Sequence, residues 1–369
     1  MQAPFTRLLP VLLFISLTIA FIGTAGCVDS SDTTVPEDIT TPFPGSNESP
    51  YTYIMTADGI PLRYAIHGPL HAAAHNDTLN ATRNTTSGQG NGQGDGQKQP
   101  PIIFVLGYGM TLDEWPGRMI SKLAESRRVI LYNHRGVSGI QNPDVTFTIR
   151  QGAIDLHDVI LQLAGEGQAG NECPAGDSSI GGSDGYEKYC TTPRVDIVGY
   201  SMGGMIALKY AVMYPDTVNR LILLNTDCGG SERVQPDEWV MDWMNQTLKT
   251  PEENLDRAGK VLLTESFRTA HPDPSTWFVD YGEVADPVAV QEQFIAFRSW
   301  EGGYADLSTI HARTLLITGD QDIVIPPENS VIIADQIPDA TLIIREGQAH
   351  GMIFVEPEEI AGIIEDFLG

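Results

Sequence analysis

Basic residues are scarce in this chain. It holds 22 Lys and Arg, only six of them Lys, against 48 Asp and Glu, for a formal net charge of −26. No basic cluster occurs anywhere along it. A surface this acidic repels phosphate backbones and anionic headgroups, which excludes nucleic acid as a partner. The acidity reads as a solvated surface suited to a salty exterior and names no substrate. Phosphate loop, metal box and nucleotide fingerprint are all absent, so no cofactor is expected. Cysteine is rare, at four residues. Cys173 and Cys190 have no further Cys or His close by in sequence, which sets a metal pair aside. What is present is ordinary for a globular protein: 369 residues, 41% hydrophobic and 19% charged, enough for one large domain or two smaller ones.

The N-terminus has the composition of a targeting segment. One Arg lies in MQAPFTR, Leu8 to Ile22 is almost wholly apolar, and Thr24-Ala25-Gly26-Cys27 follows. Small residues before a cysteine resemble the lipobox of prokaryotic lipoproteins, with Thr24 where that box usually has Leu. Residues 1–27 are therefore expected to export the chain, with lipid on Cys27; an uncleaved anchor and plain secretion are the alternatives. Each leaves the remainder outside the cytoplasm, and lipid would hold it at the outer face of the cytoplasmic membrane. Residues 28–50, rich in Ser, Thr, Pro and Asp, cannot build a core and read as a flexible stalk. Residues 71–99 form a second low-complexity stretch, with glycosylation-type sequons at Asn76, Asn80 and Asn84; Asn47 and Asn245 begin two more. His67, His71 and His75 recur every fourth residue, but Gly68-Pro69 opposes the helix that would align them as ligands. Cys173 and Cys190 bracket a Gly/Ser/Asp-rich loop within residues 164–193, which a disulfide would clip. Cys228 follows an apolar strand and reads as a buried thiol.

Regular order is expected from Tyr51 onward. Tyr51 to Thr56 and Leu62 to Ile66 read as strands joined by a turn at Ala57-Asp58-Gly59. The apolar runs IIFVL from Ile102, RVILYNHRG from Arg128, VDIVGY from Val195, RLILLN from Arg220, TLLITG from Thr314 and TLIIRE from Thr341 follow. Between them lie helical patterns: Leu156, Val159, Ile160 and Leu163 at i, i+3, i+4 and i+7, then Gly203 to Tyr214, Pro326 to Gln336 and Pro357 to Phe367. Wholly apolar strands alternating with helices imply an α/β protein with a mostly parallel sheet flanked by helices. Residues 229–311 break the alternation and read as a helical insertion carrying Trp239, Trp243, Trp277 and Trp300.

Two serines fit Gly-x-Ser-x-Gly. Ser183, in IGGSDG, lies in a polar loop with no strand before it, so nothing would hold its hydroxyl in place. Ser201, in DIVGYSMGG, sits where a buried strand turns into a helix. Gly199 and Gly203 open that turn, and the helix N-terminus faces the site. Ser201 is the nucleophile candidate and Ser183 a chance match. A serine hydroxyl needs a base, and the base needs an orienting acid. His350, in GQAHGM, lies just past the last strand. His134, His157 and His311 read more simply as packing or surface residues. Asp322 is the favoured acid, since the turn after Gly319 would point it across the strand ends. Asp227 and Asp320 remain alternatives.

These residues carry a resemblance. From about Tyr51 to Gly369 the chain resembles the α/β-hydrolase superfamily, in particular its capped esterase, lactonase and haloperoxidase-like branch. Gly199-Tyr200-Ser201-Met202-Gly203-Gly204, Gly319-x-x-Asp322 and Ala349-His350-Gly351 fall in the superfamily's order. The resemblance implies that the N–H groups of Met202 and Tyr108 form an oxyanion hole. Leu106-Gly107-Tyr108-Gly109 stands where His-Gly-x-Gly is usual, and Asn133-His134-Arg135-Gly136 replaces a more usual, structural Asp-x-Arg-Gly. It also implies a catalytic domain of residues 51–369, with 229–311 as its cap. That cap's Trp residues would line an apolar pocket or pack it onto the core. The expected activity is acyl transfer from a small-molecule substrate to water by a monomer. Epoxide hydrolases and dehalogenases of this fold need a carboxylate at position 201. Perhydrolase or haloperoxidase-like activity uses the same triad, and a non-enzymatic surface protein on the same scaffold is the rival class.

Overall fold

A computed structural model describes residues 52–69, 99–139, 146–164, 193–245, 251–278 and 283–369. Cys27, Cys173, Cys190, Ser183, His71, His75 and the sequons at Asn47, Asn76, Asn80 and Asn84 lie outside the described residues. So do residues 1–50 and most of the 71–99 and 164–193 stretches. Among the described residues, no helix is long and apolar enough to cross a membrane.

The chain opens with an antiparallel hairpin of β1 (Thr52–Met55) and β2 (Pro61–His67). Gly59 turns it at φ +82°, a conformation that other residues rarely adopt. Then β3 (Ile102–Val105), α1 (Gly117–Ala124), β4 (Val129–Tyr132), α2 (Ile149–Val159), β5 (Val195–Tyr200), α3 (Met202–Met213) and β6 (Val218–Leu224) alternate. Four helices interrupt the pattern: α4 (Glu238–Met244), α5 (Pro251–Leu262), α6 (Glu265–Ala270) and α7 (Pro287–Ser299). The alternation resumes with β7 (Arg313–Gly319), α8 (Glu328–Gln336), β8 (Ala340–Arg345), α9 (Met352–Val355) and α10 (Pro357–Leu368).

The eight described strands form one sheet in the order β1-β2-β4-β3-β5-β6-β7-β8. Pairing is antiparallel from β1 through β2 to β4 and parallel in every other pair. Every residue of β3, β4 and β5 is buried, because helices cover both faces of the centre. The strand period of two divides those side chains. Ile103 and Val105 join the core shared with α2 and α3, while Ile102 and Phe104 join the one shared with α1 and α10. α1 is not among the helices read from the sequence. Its eight residues carry only Met119, Ile120 and Leu123 as a buried stripe, too short a run for a periodic signal.

The parallel arrangement puts the loops after β3, β4, β5, β6, β7 and β8 at one edge of the sheet, where side chains from distant parts of the chain can converge. The turn from β5 into α3 is packed tightly. A Cβ on Gly203 would stand 2.1 Å from Val105 O and 2.5 Å from Leu106 O, and one on Gly199 2.6 Å from Gly203 O. These obstacles are backbone atoms, which cannot swing aside. Gly117, by contrast, opens α1 with nothing within 4 Å of such a Cβ. Gly203→Ala is expected to lower unfolding free energy by roughly 3 kcal/mol or more, or to prevent folding. Gly117→Ala should be neutral or slightly stabilising. Urea unfolding midpoints of the two variants check this, and similar midpoints would contradict it.

Candidate active site

Ser201 adopts φ 54° and ψ −121°, one of two positive-φ non-glycine residues among those described. Such a conformation costs on the order of 1–3 kcal/mol and persists only where surrounding contacts impose it. Such contacts are present. Ser201 N–H donates to Leu224 O (2.9 Å), Ser201 O accepts from Thr226 Oγ1 (2.7 Å), and Gly204 N–H also reaches Ser201 O (2.9 Å). The hydroxyl is thereby lifted off the strand at the mouth of α3. The apolar run that makes β5 and the glycines that let α3 approach it together determine this position.

His350 meets it from the loop after β8. Its Nε2 lies 3.0 Å from Ser201 Oγ and its Nδ1 2.7 Å from Asp322 Oδ2. An ionised carboxylate only accepts, so Nδ1 carries the proton and Nε2 is free to accept from the serine hydroxyl. Asp322 itself is held by four hydrogen bonds. Oδ1 accepts from Val324 N and Ile325 N (both 2.9 Å), and Oδ2 from Asn225 Nδ2 (2.8 Å) as well as from His350. All three residues of this line are buried, at 5%, 3% and 4% exposure for Ser201, His350 and Asp322. The histidine loop is fixed from two sides. Tyr200 Oη donates to His350 O (2.9 Å), and Gly351 N donates to Leu262 O of α5 (2.7 Å).

The two alternative acids stand apart from this line. Asp320 is exposed and accepts from Gly347 N (2.8 Å). Asp227 is buried, accepts from Gly229 N (2.7 Å) and faces Arg233 at 3.6 Å. Burial raises its carboxyl pKa against the opposing pull of Arg233. Cys228 beside it is a buried free thiol that burial pushes up to about 11, unsuited to nucleophilic attack near neutrality. His134, His157 and His311 lie away from Ser201 Oγ: His134 faces Leu106, His157 stacks on Tyr214, and His311 is exposed.

The loop after β3 brings Tyr108 to the same edge. Among the described residues no acceptor takes the backbone N–H of Tyr108 or of Met202, the latter being one of the N–H groups that open α3. The loop lacks a histidine of its own and is braced from elsewhere. His134 Nε2 donates to Leu106 O (2.9 Å), and Asn133 Oδ1 accepts from Leu112 N (2.7 Å). Burial lowers the His134 pKa, keeping it a neutral donor. Gln293, on α7, accepts from Gly109 N through Oε1 (2.8 Å), and its neighbour Phe294 packs against the Tyr108 ring at 5.8 Å. The helical insertion therefore touches both the Tyr108 loop and the His350 loop. Within it Trp277 packs on Gly259 and Trp300 on Gly229, while Trp239 is 48% exposed. The roles of Asn225, Gln293 and His134, the last read from the sequence only as a packing or surface residue, escaped the sequence reading. None has a local motif, since each acts on a residue more than twenty positions away.

An acidic corner docks the insertion to the loops after β3 and β4. Glu283 accepts from Asn133 Nδ2 (2.8 Å), Ser138 Oγ (2.9 Å) and Arg63, whose guanidinium also forks onto Asp113 (2.7 and 3.0 Å). Next to it, burial pushes the half-buried Glu114 carboxyl up to about 7, and the charges of Asp113 and Glu283 add to the effect.

The strand order, the helices on both faces and the serine turn at the edge of β5 define an α/β-hydrolase fold, with an eight-stranded, mostly parallel sheet. The model of the family described as "alpha/beta hydrolase fold" matches residues 191–357. Proline iminopeptidase PfmaB of Pestalotiopsis fici is 25% identical over 279 residues, covering 70% of this chain and 88% of its own. A 2-hydroxy-6-oxo-6-(2'-aminophenyl)hexa-2,4-dienoic acid hydrolase of Metapseudomonas resinovorans is 25% identical over 281 residues, 73% of this chain and 84% of its own. Among solved structures, the enol-lactonase from Burkholderia xenovorans superposes with a TM-score of 0.62 at 19% identity, covering 86% of this chain and 99% of that one.

Glu114 gives the site a pH signature. Its folded pKa lies above its ordinary value of 4.5, so the folded state holds a proton that the unfolded chain has already lost. Stability is then lost as pH rises from about 4.5 to about 7. Glu114→Gln should remove that part of the slope, raising the melting temperature relative to wild type at pH 8 and much less at pH 4.5. Thermal melts at the two pH values check it; an equal shift at both would count against the assignment.

Proposed function

We propose that the protein is a serine hydrolase that cleaves a carboxylic ester or related acyl bond through an acyl-enzyme intermediate. The observation that carries this reading is the single buried line Asp322–His350–Ser201, with contacts of 2.7 and 3.0 Å. Its two named relatives, an iminopeptidase and a hydrolase, are in keeping with it.

In this mechanism Ser201 Oγ attacks the substrate carbonyl while His350 Nε2 takes its proton. Asp322 keeps the imidazole in the tautomer that can do so and stabilises the imidazolium that forms. The carbonyl oxygen becomes an oxyanion, to which the N–H groups of Tyr108 and Met202 donate. His350 then returns the proton to the leaving group, whose bond to the acyl carbon breaks. Water, activated by the same imidazole, releases the acid and restores Ser201. Residues 229–311 serve as the cap over this site. No carboxylate stands at position 201 to support epoxide or haloalkane chemistry.

The setting is also a proposal and rests on the sequence. Residues 51–369 form the catalytic domain, tethered by 28–50 to lipid on Cys27 at the outer face of the cytoplasmic membrane. There each buried lipid methylene contributes about 0.8 kcal/mol, so two chains anchor stably. A Cys173–Cys190 disulfide clips residues 164–193.

Ser201→Ala should lower kcat on p-nitrophenyl butyrate by about 10⁶-fold, and Asp322→Asn by about 10⁴-fold, with folding intact by thermal melt. Ser183→Ala should leave the rate nearly unchanged. A Ser201→Ala protein of wild-type activity, or a comparable loss in Ser183→Ala, would refute the assignment.

A further inference from the structure

Asn225, at the end of β6, has two features that folding alone does not account for. Its backbone stands at φ 46°, and Ser201 is the other described non-glycine residue with positive φ. Asparagine tolerates that region better than most residues, though still at a cost. The side chain is fully buried, and its Nδ2 donates to Asp322 Oδ2 at 2.8 Å. An ionised carboxylate only accepts, so the nitrogen must be the end that faces it. The other end, Oδ1, has no donor among the described residues. A buried acceptor left unpaired is destabilising, and an apolar side chain of the same size would avoid that loss. A strained backbone and a half-satisfied amide in a close-packed core together call for a role of the half that is satisfied.

That half meets the oxygen that faces the imidazole. Asp322 Oδ1 is pinned by two backbone N–H groups of its own turn, whereas Oδ2 meets His350 Nδ1 (2.7 Å) and Asn225 Nδ2. With Oδ1 alone held, Oδ2 could swing about it; Asn225 supplies the second fixed point. The preceding residue, Leu224, accepts from Ser201 N–H through its carbonyl (2.9 Å), and Asn225 N–H is tied to Ile317 O of β7 (3.0 Å). One dipeptide thus holds the nucleophile by its first residue and the acid by its second. We infer that Asn225 is a positioning residue that acts through Asp322 and sets the separation His350 spans between Asp322 Oδ2 and Ser201 Oγ. This deepens the serine-hydrolase reading and rests on it. Asn225 acts on the acid and not on the substrate, so its loss should appear in kcat rather than in KM.

Two substitutions in the full-length protein test this. Asn225→Leu keeps the size of the side chain and removes the donor. Asn225→Gly removes the amide and adopts positive φ without strain, so a loss shared by both variants does not come from the backbone. On p-nitrophenyl butyrate each should lower kcat by roughly 10- to 100-fold, the scale on which groups that orient a reacting side chain act. KM should stay within about twofold of wild type. The deciding comparison is a double-mutant cycle with Asp322→Ala. Once that carboxylate is gone, Asn225→Leu should cost less than about threefold further. A loss carried undiminished into the Asp322→Ala background, or wild-type kcat in both Asn225 variants, would overturn the inference and leave Asn225 as a packing residue. The proton on His350 Nδ1 supplies a readout that needs no turnover, as a low-field proton NMR resonance identified by its loss in His350→Ala. It should broaden or vanish in both Asn225 variants. A resonance unchanged in position and width would overturn the inference, and so would its absence from wild type, where the bond to be positioned would not be formed. Failure of wild type to turn over p-nitrophenyl butyrate would count against the hydrolase reading, while the resonance would still decide the role of Asn225.

Discussion

The structure depends on one close approach: the first turn of α3 packs directly on the backbone at the end of β3. No side chain fits between them at Gly203, where a Cβ would stand 2.1 Å from Val105 O. The same approach forces Ser201 into φ 54° and sets it beside the loop that carries Tyr108. The strain at Ser201 is offset by its hydrogen bonds to Leu224 and Thr226. A looser turn would relieve the serine and at the same time separate it from Tyr108. Position and strain are two results of one packing constraint.

Electrostatics follow from that arrangement. A buried carboxylate is costly unless its oxygens are satisfied, and Asp322 has four donors aimed at it, two of them backbone N–H groups of its own turn. The third, Asn225, adopts φ 46° at the end of β6 and links Asp322 to the strand that also holds Ser201 N–H. Asp227, only two residues along the chain from Asn225, finds one backbone N–H and a more distant arginine instead. The contrast explains in physical terms why the acid after β7, rather than the one after β6, sits against the imidazole. The insertion extends the network outward: Leu262 braces the His350 loop, Gln293 braces the Tyr108 loop, and Glu283 clasps the loop after β4. Three contacts from separate segments of one insertion reach three different strand-end loops.

Much of this was legible in the sequence because it is local. The buried strands announced themselves as continuous apolar runs, and the serine turn as a strand, two obligatory glycines and a helix. His350 and Asp322 could be proposed from their places after strands. What stayed hidden is long-range. His134, read as a packing or surface residue, braces Leu106 from 28 positions away. Gln293 reaches Gly109 across 184 positions, and Glu283 reaches Asn133 across 150. A glutamine in the middle of a helix has no sequence signature of such a role; only the fold supplies its partner. α1 was missed for a different reason, since eight residues are too few to display a period.

We propose that this packing makes Ser201 a nucleophile. A fluorophosphonate probe reports that property directly, because it bonds only to a serine whose proton is removed by a neighbouring base. Peptide mass spectrometry of the labelled full-length protein should find the phosphonyl adduct on the peptide holding Gly199-Tyr200-Ser201-Met202-Gly203, and no adduct after His350→Ala. An adduct on another residue, or no adduct on the folded wild-type protein, would contradict the account.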